Sequence, residues 1–392
     1  MQRPITESSI LVVDDNEDNR EVLGTRLTHE GYRRVVIATN GREALEAMKR
    51  ERIDAVLLDI MMPEMNGYEV LGVMEKDDHL RDIPVIVISA VDDMKSVVKC
   101  IELGAIDYLT KPFDAVLLRA RVRASLERKR LRDEVAANLE RVEQELREAR
   151  ELQLGLLQRR FPTSDTAFPV DIGAMLTPAR EVGGDFYDFF GHGRHYYGIV
   201  GDVSDKGVAP AMFMARTLSL LRMVVSQHVT SNGAGPTLPD MLTALNEELC
   251  RNNPTRMFVT LLAVRLDVTG GEIDVASAGH PFPLALRAES AEPLEVPRGT
   301  ALGICADLPF YAARFELRPG EGVLLYTDGV TEALDREGNF LTERGLVAAV
   351  GPCRGASSAH VLRAIEHAVK AHVADVPASD DIAALCLRWR PA

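Results

Sequence analysis

No two of the five cysteines stand in a Cys-x-x-Cys pair; they are scattered at 100, 250, 305, 353 and 386. An odd, unpaired set argues against a structural zinc and against a disulfide framework, and all five read as small apolar residues of a reducing compartment. No stretch approaches the ~20 uninterrupted apolar residues of a membrane-spanning helix. The start, Met1-Gln-Arg-Pro-Ile, has no apolar signal core, so a cytoplasmic protein without a membrane partner is expected. An excess of basic residues is also lacking. Lys and Arg number 45 against 59 Asp and Glu, a net charge of −14. Residues 1–117 hold 14 basic and 23 acidic side chains, 118–160 hold 12 and 8, and 161–392 hold 19 and 28. Neither large block offers the clustered cations that polyanion binding needs, so no nucleic-acid partner is expected, and no basic helix-turn-helix output is found. A Gly-rich nucleotide loop is absent too, which argues against a kinase.

What the chain does have is length for two or three domains: 392 residues, 46% of them hydrophobic and 27% charged. The first block alternates apolar runs with helix-period segments: Ile10–Val13, Val35–Ala38, Ala55–Leu58, Val85–Ile88 and Asp107–Thr110. Five such strands predict an α/β, doubly wound domain on a five-stranded parallel sheet. From about Arg119 to Glu151, 33 residues carry 18 charges and neither Gly nor Pro. Val135, Leu139, Val142, Leu146, Ala149, Gln153 and Leu156 recur at alternating spacings of four and three, the seam of a long helix. A helical coiled-coil linker over 119–160 that makes a homodimer is therefore expected, ending before Pro162. The third block mixes β runs with helical stretches near 209–228 and 238–251, and Ser226 to Pro239 reads as a surface loop.

In the first block Asp14 and Asp15 follow the first strand, Asp59 the third, Ser89 the fourth and Lys111 the fifth. A parallel sheet brings these positions to one edge. Clustered carboxylates need a cation, and an all-oxygen set suits Mg²⁺, while Lys111 offers a point charge to a phosphoryl oxygen. With Met62-Pro63, Gly67, Ser89-Ala90 and Lys111-Pro112 in order, residues 8–118 resemble the response-regulator receiver domain. The resemblance implies that Asp59 is the phosphoacceptor and that Asp14, Asp15, Asp59 and the Met61 carbonyl hold Mg²⁺. It also implies that Ser89 and Tyr108 form the switch pair, and that a histidine kinase or phosphotransfer protein is the partner.

Four acidic signatures punctuate the third block: Glu181-Val-Gly-Gly-Asp185-Phe-Tyr-Asp188, Gly201-Asp202-Val-Ser, Tyr326-Thr-Asp328-Gly329 and Ser379-Asp380-Asp381. Asp beside Gly at the lip of a β layer lets carboxylates converge while the backbone bends, as an oxygen-ligated metal site requires. With Ala278-Gly-His280-Pro, Gly299-Thr-Ala-Leu-Gly303 and Leu325-Tyr-Thr-Asp-Gly-Val-Thr-Glu332, residues 161–392 resemble the SpoIIE-type branch of the PPM metal-dependent Ser/Thr phosphatases. That resemblance implies an α+β, αββα sandwich carrying two Mn²⁺ or Mg²⁺ ions. Asp202 would bridge them, Asp185 and the Val203 carbonyl would serve one ion, and Asp328 and Asp380 the other. Hydrolysis of a phosphoserine or phosphothreonine would proceed by in-line attack of water, with Arg180 orienting the phosphate and an anti-sigma-factor antagonist of the STAS type as substrate.

Two positions depart from the wider pattern. Ser204 stands where the eukaryotic branch has a His taken as general acid, so no general acid is assigned. Asp205 replaces a more usual Gly. His280 beside a Pro turn reads as structural. The alternative to catalysis is an adaptor that docks a sigma factor or anti-sigma factor through the third block, but the chain retains every expected carboxylate.

Overall fold

A computed structural model describes the chain apart from residues 1–3, 91–93, 159–160, 162–168, 228–234, 354 and 392. The helix stop at Pro162 and most of the loop expected over Ser226 to Pro239 lie outside the described residues. The chain divides into two compact units, Met1–Val142 and Glu143–Ala392.

The first unit contains β1 (Ser9–Val13), α1 (Glu17–His29), β2 (Arg34–Ala38), α2 (Gly41–Arg50), β3 (Ala55–Asp59), α3 (Gly67–Lys76), β4 (Val85–Ala90), α4 (Met94–Glu102) and β5 (Asp107–Lys111). The strands form a parallel sheet ordered β2-β1-β3-β4-β5. In the central strands β1, β3 and β4, burial on both faces accounts for the unbroken apolar runs. Leu11 and Val13 of β1 pack into one core and Ile10 and Val12 into the other, as the two-residue strand period requires. Helix α5 (Ala115–Leu156) begins four residues before the expected linker. Its first turns carry Leu118, Val122 and Leu126, spaced by four, into the core of the first unit. Further along, Val135, Leu139 and Val142 are 66%, 58% and 46% exposed, an apolar seam left open by the described residues.

The second unit is built from β6 (Val170–Thr177), β7 (Phe186–His192), β8 (His195–Val203), α6 (Val208–Gln227), α7 (Leu238–Cys250), β9 (Val259–Asp267), β10 (Glu272–Ala278), β11 (Leu284–Leu286), β12 (Ala291–Pro293), β13 (Arg298–Gly299), β14 (Ala313–Glu316), β15 (Gly322–Tyr326), α8 (Asp328–Thr331), α9 (Thr342–Val350), α10 (Ser358–Val373) and β16 (Ile382–Trp389). One sheet runs β13-β10-β9-β8-β7, with β14 also on β10, and the other β12-β11-β15-β16-β6. Helices α6 and α7 pack on the first sheet, and α10 packs on β6 and β16 of the second. This is an αββα sandwich. By length and composition α6 could span a membrane, but Phe213, Met214, Leu218 and Leu221 are buried in the sandwich core, which marks it as a core helix.

Candidate functional site

The first unit brings its predicted acids together. Oxygens of Asp14, Asp15 and Asp59 all lie within 4.8 Å of one another, the one such acidic group among the described residues. Asp14 is fully buried at the end of β1 and Asp59 is 6% exposed at the end of β3. Lys111 at the end of β5 spans both, its Nζ donating to Asp14 Oδ2 at 2.9 Å and to Asp59 Oδ2 at 2.8 Å. Burial pushes the Asp59 carboxyl up, against the opposing pull of the Lys111 ammonium. Burial also works against the Lys111 charge, but its bonds to Asp59 and Asp14 outweigh this and raise it. A carboxylate poised here, with one cation in contact, is a suitable nucleophile for a phosphoryl group.

Sequence reasoning missed the support for Asp14. Asn19 Nδ2 donates to both Asp14 oxygens at 3.0 and 3.1 Å, and Arg20 Nη1 donates to the Asp14 and Asp15 carbonyls. The available signal was their place in the first turns of the helix that follows the Asp pair. Gly67 admits the chain beside the acceptor, because a Cβ there would meet the Asp59 carbonyl oxygen at 2.6 Å. Ser89 is buried on β4, and Tyr108 on β5 lies under the Arg121 guanidinium at 5.2 Å. Met61 has a largely exposed side chain, which leaves only its carbonyl for an inward role.

In the second unit Asp202 is the penultimate residue of β8, Asp185 immediately precedes β7, Asp328 opens α8 one residue after β15, and Asp380 precedes β16. Neighbouring strand ends thus gather all four. Gly184 packs against the Val203 carbonyl, where a Cβ would approach within 2.7 Å. Burial pushes the Asp185 carboxyl well up, helped by the charges of Asp202 and Asp381. Asp202 is likewise pushed up to about 7 by burial and by the charges of Asp328, Asp380 and Asp381, against a lowering bond with Asp185. Asp185 and Asp202, raised in this way by burial and by neighbouring carboxylates, favour a bound cation, and a set of hard oxygens suits Mn²⁺ or Mg²⁺, so these residues fit the implied ions.

The supports of this site were also absent from the sequence reading. Asp381 accepts the Ala179 N–H at 2.8 Å and the Gly184 N–H at 2.9 Å, pinning the loop that presents Asp185. A Cβ on Gly183 would overlap the Asp381 carboxylate. Thr327 Oγ1 donates to Asp185 Oδ2 at 2.7 Å and accepts the Ala383 N–H at 2.9 Å. Gln153, the polar member of the apolar seam, is buried: its Nε2 donates to the Gly183 carbonyl at 2.5 Å and its Oε1 accepts the Gly183 N–H. Adjacency to Asp380 and Asp328 marked the first two, and the break in the apolar pattern marked Gln153. Arg180 is exposed on the pinned loop. Ser204 accepts the Phe258 N–H at 3.1 Å while its own N–H donates to the Phe258 carbonyl, a tie to the start of β9.

Asp205 has φ +72°, which explains why glycine is the more usual residue at that turn. A β-branched side chain costs most there. Asp205→Val is expected to lower stability by about 1–2 kcal/mol in urea unfolding, whereas Asp205→Gly lowers it by none.

His280 is fully enclosed. Its Nε2 donates to the Tyr326 carbonyl at 3.0 Å, since a carbonyl can only accept, which leaves Nδ1 to accept the Thr260 hydroxyl at 2.8 Å. Burial pushes this imidazole down to about 4, so it stays neutral and structural. The unfolded chain takes up a proton near pH 6.5 and the folded chain only near 4. Between those values the unfolded state binds more protons, and stability falls on acidification. The loss at pH 5 is about 2 kcal/mol relative to neutral pH, and His280→Gln should flatten that slope in urea unfolding at the two pH values.

Residues 192–390 match the family described as Stage II sporulation protein E (SpoIIE), and residues 10–156 match the response regulator receiver domain. The chain is 44% identical over 123 residues to "Probable transcriptional regulator ycf27" of Guillardia theta, a match covering 31% of this chain and 47% of that protein. It is 40% identical over 129 residues to "Probable cyclic di-GMP phosphodiesterase" of Vibrio cholerae, covering 33% and 29%. The chain therefore spans about half or less of the length of these curated relatives. Among solved structures, the SiaA-PP2C domain of Pseudomonas aeruginosa is similar with a TM-score of 0.57 at 19% identity, covering 65% of this chain and 99% of that one, a likeness of fold. With just over half its length matched, the chain belongs to the SpoIIE family and joins a response-regulator receiver domain to a SpoIIE/PP2C-type phosphatase domain.

Proposed function

We propose that this is a cytoplasmic response regulator in which phosphorylation of Asp59, by a histidine kinase or phosphotransfer protein, controls a metal-dependent protein Ser/Thr phosphatase. Its substrate in this reading is a STAS-type anti-sigma-factor antagonist. The observation that carries the reading is the gathering of Asp185, Asp202, Asp328 and Asp380 at neighbouring strand ends of a SpoIIE-type domain.

In the receiver, Asp14, Asp15, Asp59 and the Met61 carbonyl would hold Mg²⁺, and Asp59 attacks the incoming phosphoryl group. Lys111 then contacts a phosphoryl oxygen in place of the Asp59 carboxylate it holds at 2.8 Å. Ser89 and Tyr108 respond as the switch pair. In the phosphatase domain Asp202 would bridge two ions, Asp185 and the Val203 carbonyl would serve one, and Asp328 and Asp380 the other. Such ions supply charge neutralisation for the phosphate and acidify the attacking water. Asp381 and Thr327 hold Asp185 in place, and Arg180 faces the phosphate from the pinned loop.

The exposed seam at Val135, Leu139 and Val142 supports a homodimer through α5, since apolar side chains at this spacing pair with a second helix. Helix α5 also carries Gln153, bonded to the Gly183 backbone two residues before Asp185. Movement of α5 would therefore reach the metal loop through the Gln153 side chain. The test is release of p-nitrophenol from its phosphate ester by the full-length protein in Mn²⁺ and after chelation with EDTA. Activity confined to the Mn²⁺ sample supports the reading; equal rates in both count against it.

A further inference from the structure

Lys206 lies in the turn between Asp202 and α6, flanked by two residues of positive φ, Asp205 at +72° and Gly207 at +104°. From that turn the side chain reaches the segment before β16. Its Nζ sits 2.9 Å from Asp380 Oδ2 and donates to the Ser379 carbonyl at 2.5 Å. The ammonium is also the cation whose charge bears on Asp328 and on Glu332, whose N–H donates to the Asp328 carbonyl. Among the described residues no cation pairs with the other half of the site in this way, and Asp185 takes a neutral hydroxyl from Thr327.

We propose that Lys206 is a built-in competitor for the metal ion at Asp328 and Asp380, making that ion the weaker of the two and exchangeable. The inference rests on the phosphatase reading above. An ammonium at 2.9 Å occupies a lone pair that a cation would need, and a cation entering beside it meets a like charge. Binding there must break the Lys206 pair with Asp380; binding at Asp185 and Asp202 need not. Once displaced, the same ammonium stands beside the site as a point charge for the anionic substrate.

The test is Mn²⁺ titration of the full-length protein followed by the EPR signal of free Mn²⁺, a readout that needs no turnover. An Asp15→Asn background weakens the receiver's own ion. Two phosphatase sites of unequal affinity are expected. Lys206→Gln should tighten the weaker on the order of tenfold and leave the tighter within about twofold, whereas Lys206→Arg keeps the wild-type pattern. Asp380→Asn should abolish the weaker site and identifies it. An unchanged or weakened second site in Lys206→Gln, in protein whose circular dichroism is that of wild type, overturns the role of Lys206 alone. Absence of both sites from the wild-type phosphatase domain overturns the metal reading beneath it.

Discussion

Replacing Asp202 by alanine is expected to lower phosphate-ester hydrolysis in saturating Mn²⁺ on the order of a thousandfold or more, while making the metal-free protein more stable at neutral pH. The loss follows from the place of Asp202 between the Asp185 side and the Asp328 and Asp380 side, each of which bears on it electrostatically. The gain follows from the same crowding. An unfolded Asp releases its proton near its ordinary value, whereas the folded Asp202 holds one up to about pH 7. Over that window the native state binds more protons, so stability falls as pH rises, and removing the carboxylate removes that penalty. Urea unfolding in EDTA at pH 7, beside the hydrolysis rate in Mn²⁺, separates this from a structural role. A core residue loses both stability and activity, whereas a metal-site residue exchanges one for the other.

The second large effect concerns the receiver. Asp59→Asn should remove the response to a phosphodonor altogether while the basal phosphatase rate remains measurable. An amide at this position keeps the size of the side chain but offers no carboxylate nucleophile, and it removes the charge that Lys111 contacts at 2.8 Å. Incubation with acetyl phosphate and Mg²⁺, followed by intact-mass measurement, is expected to add one phosphoryl group to wild type and none to the variant. Phosphorylation of the variant would place the acceptor elsewhere.

The receiver was the more legible part of the sequence. Its central strands β1, β3 and β4 are buried on both faces, which writes them as unbroken apolar runs, and every predicted strand forms, with ends shifted by a few residues at most. Its acids sit at strand ends, where parallel topology leaves little choice of position. The long helix was legible too, but not where it begins. Leu118, Val122 and Leu126 serve the receiver core at a helical spacing that sequence alone does not distinguish from a dimer seam. In the phosphatase domain the Asp-Gly pairs announced the four carboxylates. The residues that hold those carboxylates did not announce themselves, because Thr327, Asp381, Gln153 and Lys206 act across long stretches of chain. Asp381 pairs with Ala179 and Gly184, and Gln153 with Gly183, contacts that only the folded sheets create. The role of Asp205 was hidden for another reason: a positive φ is a property of the backbone, and an Asp in the αL region reads in sequence like any other Asp.

The most direct test is the rate at which the full-length protein hydrolyses a phosphoserine substrate in Mn²⁺, before and after stoichiometric phosphorylation of the receiver with acetyl phosphate. A Mn²⁺-dependent rate that changes upon phosphorylation is the predicted result. A rate indifferent to a fully phosphorylated receiver, or no hydrolysis by folded, Mn²⁺-loaded protein, would contradict the claim that the first domain controls a phosphatase in the second.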